Sequence, residues 1–106
     1  MKTQVLREGR LGDLQSYAVL IPAAPHELLQ RAVPDNGTDF TLAELHEAVG
    51  GYIETVPVAG FPPSLLLLIV NEDGHRLGLL RNEYASKLAG QLIVGTAVLT
   101  PRKFLR

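Results

Sequence analysis

The spacing of apolar and polar residues marks out most of the elements of this chain before any other property is considered. Residues 17–21 form a short aliphatic run that stops at Pro22 and predicts a first strand. Residues 26–33 stay open. Leu28, Leu29 and Ala32 suit a helix, the weak alternation of Glu27, Leu29, Arg31 and Val33 suits a strand, and Pro34-Asp35-Asn36-Gly37 turns the chain in either case. From Phe40 the period becomes helical. Thr41 and Glu44 have the spacing of a capping box, Phe40 and Leu45 stand at the staple positions around it, and Leu42, Leu45 and Val49 share a face. This predicts a helix over 42–49, ended by Gly50.

Residues 52–58 then alternate as a strand, with Tyr52, Glu54, Val56 and Val58 on one side and Ile53 and Thr55 on the other. Residues 65–70 are apolar at every position, which predicts a central strand covered on both faces. Residues 71–74 read as a hairpin turn with Gly74 supplying a positive φ, and residues 75–80 as a shorter returning strand. Asn82 caps a second helix over 83–89 with Gly90 past its end. Residues 92–100 form the last strand, interrupted at Gly95 by a bulge or a close neighbour.

These elements define an α+β fold: one mainly antiparallel sheet of four to six strands, with two short helices packed on one face. Residues 17–100 make the domain, 1–16 an amino-terminal arm or added edge strand, and 101–106 a basic tail. With both helices on one face, the apolar strand at 65–70 calls for cover on the other. The arm or a second subunit would supply it, so a homodimer or a protein partner is expected.

Composition narrows the chemistry. The 106 residues suffice for one domain with its own core, and the chain has no cysteine, which excludes disulfides, thiolate metal sites and cysteine nucleophiles. No apolar run approaches the length of a signal peptide or a membrane span, so the expectation is a soluble cytoplasmic protein. Net charge is −1 but uneven: residues 11–73 carry nine acids against Arg31, and residues 74–106 six bases against Glu83. Such asymmetry can guide a partner, although folding mixes the blocks on one surface.

Paired glycines at 50 and 51 raise the question of a phosphate cradle. That chemistry needs glycines leading from a strand into a helix N-terminus, where free amides face the anion. Here they follow a helix, at its negative end, so Gly50 and Gly51 read as a helix stop. The pairs His26-Glu27 and His46-Glu47 lack the second histidine of a zinc helix, since positions 30 and 50 hold Gln30 and Gly50; no metal and no cofactor are expected. Ser16, Ser64 and Ser86 have no nucleophile-elbow context. Glu54 is either a buried acid with a raised pKa or an edge residue that reaches solvent, and the edge reading is preferred. Asn71 and Asn82 either line a shared pocket at the strand ends or order a turn and a cap, the latter being the commoner use.

The ordered motifs Val49 to Glu54, Glu72 to Gly74, Asn82 with Ala85, and Ile93 to Gly95 resemble a small bacterial domain-of-unknown-function family whose members occur in phages and in bacteria rich in mobile elements. The resemblance covers about residues 17–100 on a comparison of motif order. It implies a compact α+β domain, a strand at 26–33, and no established activity or catalytic residues. The leading expectation is therefore a non-enzymatic accessory or interaction protein that modulates host machinery for a phage or mobile element. The alternative is a small-ligand or nucleic-acid binding domain using Tyr52, Glu54, Asn71 and Asn82, with Arg76, Arg81, Arg102, Lys103 and Arg106 supplying positive charge. An enzyme ranks third.

Overall fold

The structure, a computed structural model, describes residues 1–6 and 16–105. Its elements in chain order are β1 (Lys2–Val5), β2 (Ala18–Ile21), β3 (Gln30–Val33), α1 (Leu42–Val49), β4 (Ile53–Pro57), β5 (Leu66–Asn71), α2 (Glu83–Ala89) and β6 (Ala97–Pro101), followed by a 3-10 turn over Arg102–Phe104. All six strands join one sheet in the order β1-β3-β2-β6-β5-β4, and every pairing is antiparallel. The α+β class with a single antiparallel sheet is as the periodicity predicts. Both helices fall on the predicted residues, and the undecided segment resolves into β3. Of the expected arm, Lys2–Val5 forms the outermost strand beside β3, and residues 7–15 lie outside the described residues.

The helices do not share a face. Every residue of β5 and of β6 is buried, and successive side chains of a strand point to opposite sides. Leu66, Leu68 and Val70 join Val19, Ile21 and Leu99 beneath Ala85, with Leu88 and Ala89 of α2 packed alongside. Ile69 and Val98 join Ala18 and Ala32 beneath Phe40, Leu45 and Val49, on the α1 side. The expectation of two helices on one face is thus corrected. The connection from β3 to β4 carries α1 over one side, and the connection from β5 to β6 carries α2 over the other. The chain covers its own apolar strand, so the reason for expecting a second subunit there disappears. β5 is also not the middle of the sheet: it is interior but next to the edge strand β4, with β6 more central.

Two strand expectations fail around residue 75. Residues 75–80 do not return as a strand but coil through turns, with Leu77 N–H donating to Asp73 O and Leu79 N–H to Gly74 O. Both edges of β5 are already occupied, by β4 and β6, so a hairpin partner would have no edge to pair with. Gly74 does not have a positive φ. It is a glycine for reasons of space, because a Cβ there would meet Val94 Cγ2 at 2.8 Å and Asn71 O at 3.3 Å. The last strand breaks at Gly95 as expected, with a close neighbour there, since a Cβ would meet Leu79 Cδ1 at 2.8 Å. The segment before the left-handed Gly95 (φ 81) is not strand, however, and β6 starts only at Ala97. Before the break, Val94 makes a single antiparallel bridge to Arg81.

Around α1 the capping box is complete. Glu44 N–H donates to Thr41 Oγ1 at 3.1 Å, and Glu44 Oε1 accepts from Thr41 N–H at 2.8 Å. The second carboxylate oxygen takes the Met1 ammonium at 2.7 Å and the Asp35 amide at 3.2 Å, which ties the start of β1 to the helix cap. At the other end Gly50 is left-handed at φ 78, and the amides of Gly50 and Gly51 both donate to His46 O, at 2.8 and 3.0 Å. The twin glycines are a helix terminus, their amides directed back into the helix rather than outward. Gly90 ends α2 in the same left-handed conformation.

Burial acts to raise the Glu44 carboxyl, but the Met1 ammonium and the amides of Thr41 and Asp35 outweigh it and hold the group at about 2, against an ordinary 4.5. A carboxylate with a lowered folded pKa adds stability that is whole above the unfolded value and is lost as pH falls through the folded one. Thermal melts of the wild type and Glu44→Gln should therefore differ most at neutral pH and converge between pH 4.5 and about 2. A gap that is constant with pH would show that the network of Glu44 contributes nothing through its charge.

Candidate functional site

Asn71 and Asn82, nominated for a shared pocket, are both buried and both occupied by the scaffold. Asn82 is 1% exposed. Its Oδ1 accepts from Ala85 N–H at 3.0 Å as the cap of α2, while Nδ2 donates to Ile21 O and to Gly95 O, each at 2.9 Å. One side chain thereby joins α2 to the end of β2 and to the approach to β6. Asn71 repeats the arrangement on the opposite face. Its Nδ2 donates to Val49 O, the last carbonyl of α1, at 3.1 Å, and its Oδ1 accepts from Asp73 N–H at 2.8 Å. Gly51 packs so closely on this amide that a Cβ would stand 3.0 Å from Nδ2. Ser86 is likewise taken up, exchanging two hydrogen bonds with the backbone of Ile93.

The remaining nominated residues do not gather. Tyr52 is 66% exposed and packs edge-on against His46, with ring centroids 5.4 Å apart. Glu54 is exposed on β4, in line with the edge reading. Glu54 and Asn71 border one cavity of about 350 Å³, together with Glu72 and His75. Asn82 borders a separate one of about 550 Å³, with Leu28, Tyr84 and Lys87. Arg76 pairs with Asp73 at 3.3 Å and Arg81 with Glu83 at 3.0 Å. Arg102 donates to Leu105 O at 3.3 Å, Lys103 stands over the Phe104 ring at 5.6 Å, and Arg106 lies outside the described residues. Among the described residues no group of three or more His, Asp or Glu is placed to hold a metal ion, and no helix is long and apolar enough to cross a membrane.

Sequence reasoning missed a groove on the α1 face. It holds about 400 Å³ and is bounded by Phe40, Leu42 and Leu45 from α1 and its approach, Ile53 and Thr55 from β4, Leu67 and Ile69 from β5, and Arg102 and Leu105. Its walls are aliphatic and aromatic, and Arg102 is the one ionisable side chain among them. The helix reading assigned Leu42 to the buried stripe with Leu45 and Val49. Yet Leu42, the first residue of α1, is 60% exposed and lines the groove. An alternation that put Ile53 and Thr55 opposite Val56 contained the other half of the signal.

The fold and this site define a compact α+β scaffold whose buried asparagines serve the backbone and which has a largely apolar groove beside an edge strand. The chain belongs to the family described as Domain of unknown function (DUF3846), whose family model matches residues 20–103. No curated protein and no solved structure matched in the corresponding comparisons.

At an ordinary helix cap, asparagine and aspartate are nearly equivalent. At position 82 they are not, because the amide nitrogen serves two buried carbonyls that a carboxylate would repel. Asn82→Asp should destabilise the fold by at least as much as Asn82→Ala, about 2–4 kcal/mol for the lost donors. Chemical denaturation of the three proteins checks this, and a near-neutral Asn82→Asp would reduce Asn82 to a simple cap.

Proposed function

We propose that this chain is a non-enzymatic accessory protein that works by binding another protein. The reading is carried by the α1 groove, which offers an aliphatic wall with the exposed Leu42 at its lip and, among the described residues, no acid–base pair along it. Such a surface suits side chains of a partner better than the turnover of a substrate. The resemblance of its ordered motifs to a family whose members occur in phages and in mobile-element-rich bacteria is the support for a partner in host machinery. The nucleic-acid alternative draws less support, since Arg76 and Arg81 each face an acid.

Partner capture from the native host with the wild type and Leu42→Asp, followed by reconstitution from purified components, tests the reading. Removing an apolar anchor at the lip should weaken the complex by about tenfold or more, without lowering the melting temperature. Light scattering of the isolated chain reports whether the partner is instead a second copy. Oligonucleotide binding that weakens steeply with salt, in the absence of any protein complex, would overturn the proposal in favour of the alternative.

A further inference from the structure

The sheet ends at β4, and its outer edge lies along the α1 groove. Glu72 N–H donates to Tyr52 O at 2.8 Å, which makes Tyr52 and Glu72 a hydrogen-bonded pair in the β4–β5 register. Antiparallel ladders alternate, so Glu54 and Val56 also turn their backbone groups toward β5, while Ile53 and Thr55 turn theirs outward. Pro57 has no N–H and closes that row. The same two residues, Ile53 and Thr55, line the groove with their side chains. A row of free backbone donors and acceptors and an apolar trough therefore run side by side.

We infer that an extended segment of a partner protein adds to the sheet as a seventh strand along β4, with apolar residues projecting into the α1 groove and a carboxylate meeting Arg102. Segment residues opposite Ile53 and Thr55 form the hydrogen-bonded pairs and present their side chains on the same face as the groove. Arg102 selects the acid. Among the described residues it is the only charge lining the trough, and its bond to Leu105 O leaves further N–H donors of the guanidinium for a carboxylate. A second copy of β4 is a poor occupant. Pairing Ile53 with Thr55 across a twofold axis sets Glu54 directly against its own copy, and like charges in that position repel. This inference rests on the interaction-protein reading and adds the mode of binding.

A displayed library of ten-residue peptides, selected on the full chain, supplies the probes. Enriched peptides should alternate apolar residues and end in an acid. Added to isotopically labelled protein, they should shift the amides of Ile53 and Thr55 and slow their hydrogen exchange. Thr55→Pro removes the outward amide at an edge position where proline is tolerated, and should weaken these peptides by about tenfold. Arg102→Gln should weaken acidic peptides but not versions with glutamine in place of the acid. Should Thr55→Pro fail to fold, the exchange data on the wild type decide the matter. Peptides that bind while shifting amides elsewhere would overturn the β4 site and leave the interaction-protein reading standing. Failure to enrich any peptide, alongside a host partner whose binding survives Thr55→Pro, would do the same. A dimer that Thr55→Pro dissociates would replace the partner segment with a second copy and overturn the inference as stated.

Discussion

Burial of β5 and β6 on both sides is the constraint from which the rest of the architecture follows. A strand that is apolar at consecutive positions cannot rest one face in water, and each fully buried aliphatic side chain here is worth about 1.5–3 kcal/mol. In an antiparallel sheet this demand is unusual, because one face is commonly left to solvent. The chain meets it with the two connections it has to make anyway, passing one short helix over each face. Helices of eight and seven residues are too short to be stable alone, so each exists only because the sheet gives its inner stripe something to bury.

Short helices also need their ends fixed, and two buried asparagines do this in matching ways. Asn71 leaves the end of β5 and holds the C-terminus of α1, while Asn82 starts α2 and holds the ends of β2 and the approach to β6. Each satisfies backbone groups that would otherwise be buried without partners, which is costly in a low-dielectric interior. Among the described side chains no buried polar atom lacks a partner. The buried amides of Asn71 and Asn82 are thus devoted to joining elements, which takes these two residues out of any shared ligand pocket.

Much of this was legible in the sequence where the signal is local. The capping box at Thr41 and Glu44, the stop at Gly50 and the cap at Asn82 each depend on residues within four positions, and both helices lie where those signals put them. What was not legible depends on distant parts of the chain. Residues 75–80 look like a strand, but whether they pair is decided by β4 and β6 having taken both edges of β5. Gly74 looks like a turn glycine, but its reason is Val94, twenty positions away. The side of the sheet that each helix covers is set by the path of the connections, which hydrophobic periodicity does not encode. The groove escaped for the same reason: it is assembled from α1, β4, β5 and the residues after β6, and no single stretch announces it.

The two edges of the sheet are treated differently, and that difference bears on function. An open edge invites pairing, and soluble proteins blunt it with charges, proline or polar faces. At one end, β1 reads Lys-Thr-Gln-Val, is exposed at all four positions and puts a lysine first. At the other end, β4 carries Glu54 and Pro57, yet between and beside them Ile53 and Thr55 back directly onto an aliphatic trough. What distinguishes β4 is the apolar trough beside its short unpaired row, and an edge of that kind has a surface suited to being completed by another polypeptide. The restriction to two outward-facing residues, ended by proline, also limits what can add there. A short segment fits, whereas a long strand or an indefinite stack of copies runs into Pro57.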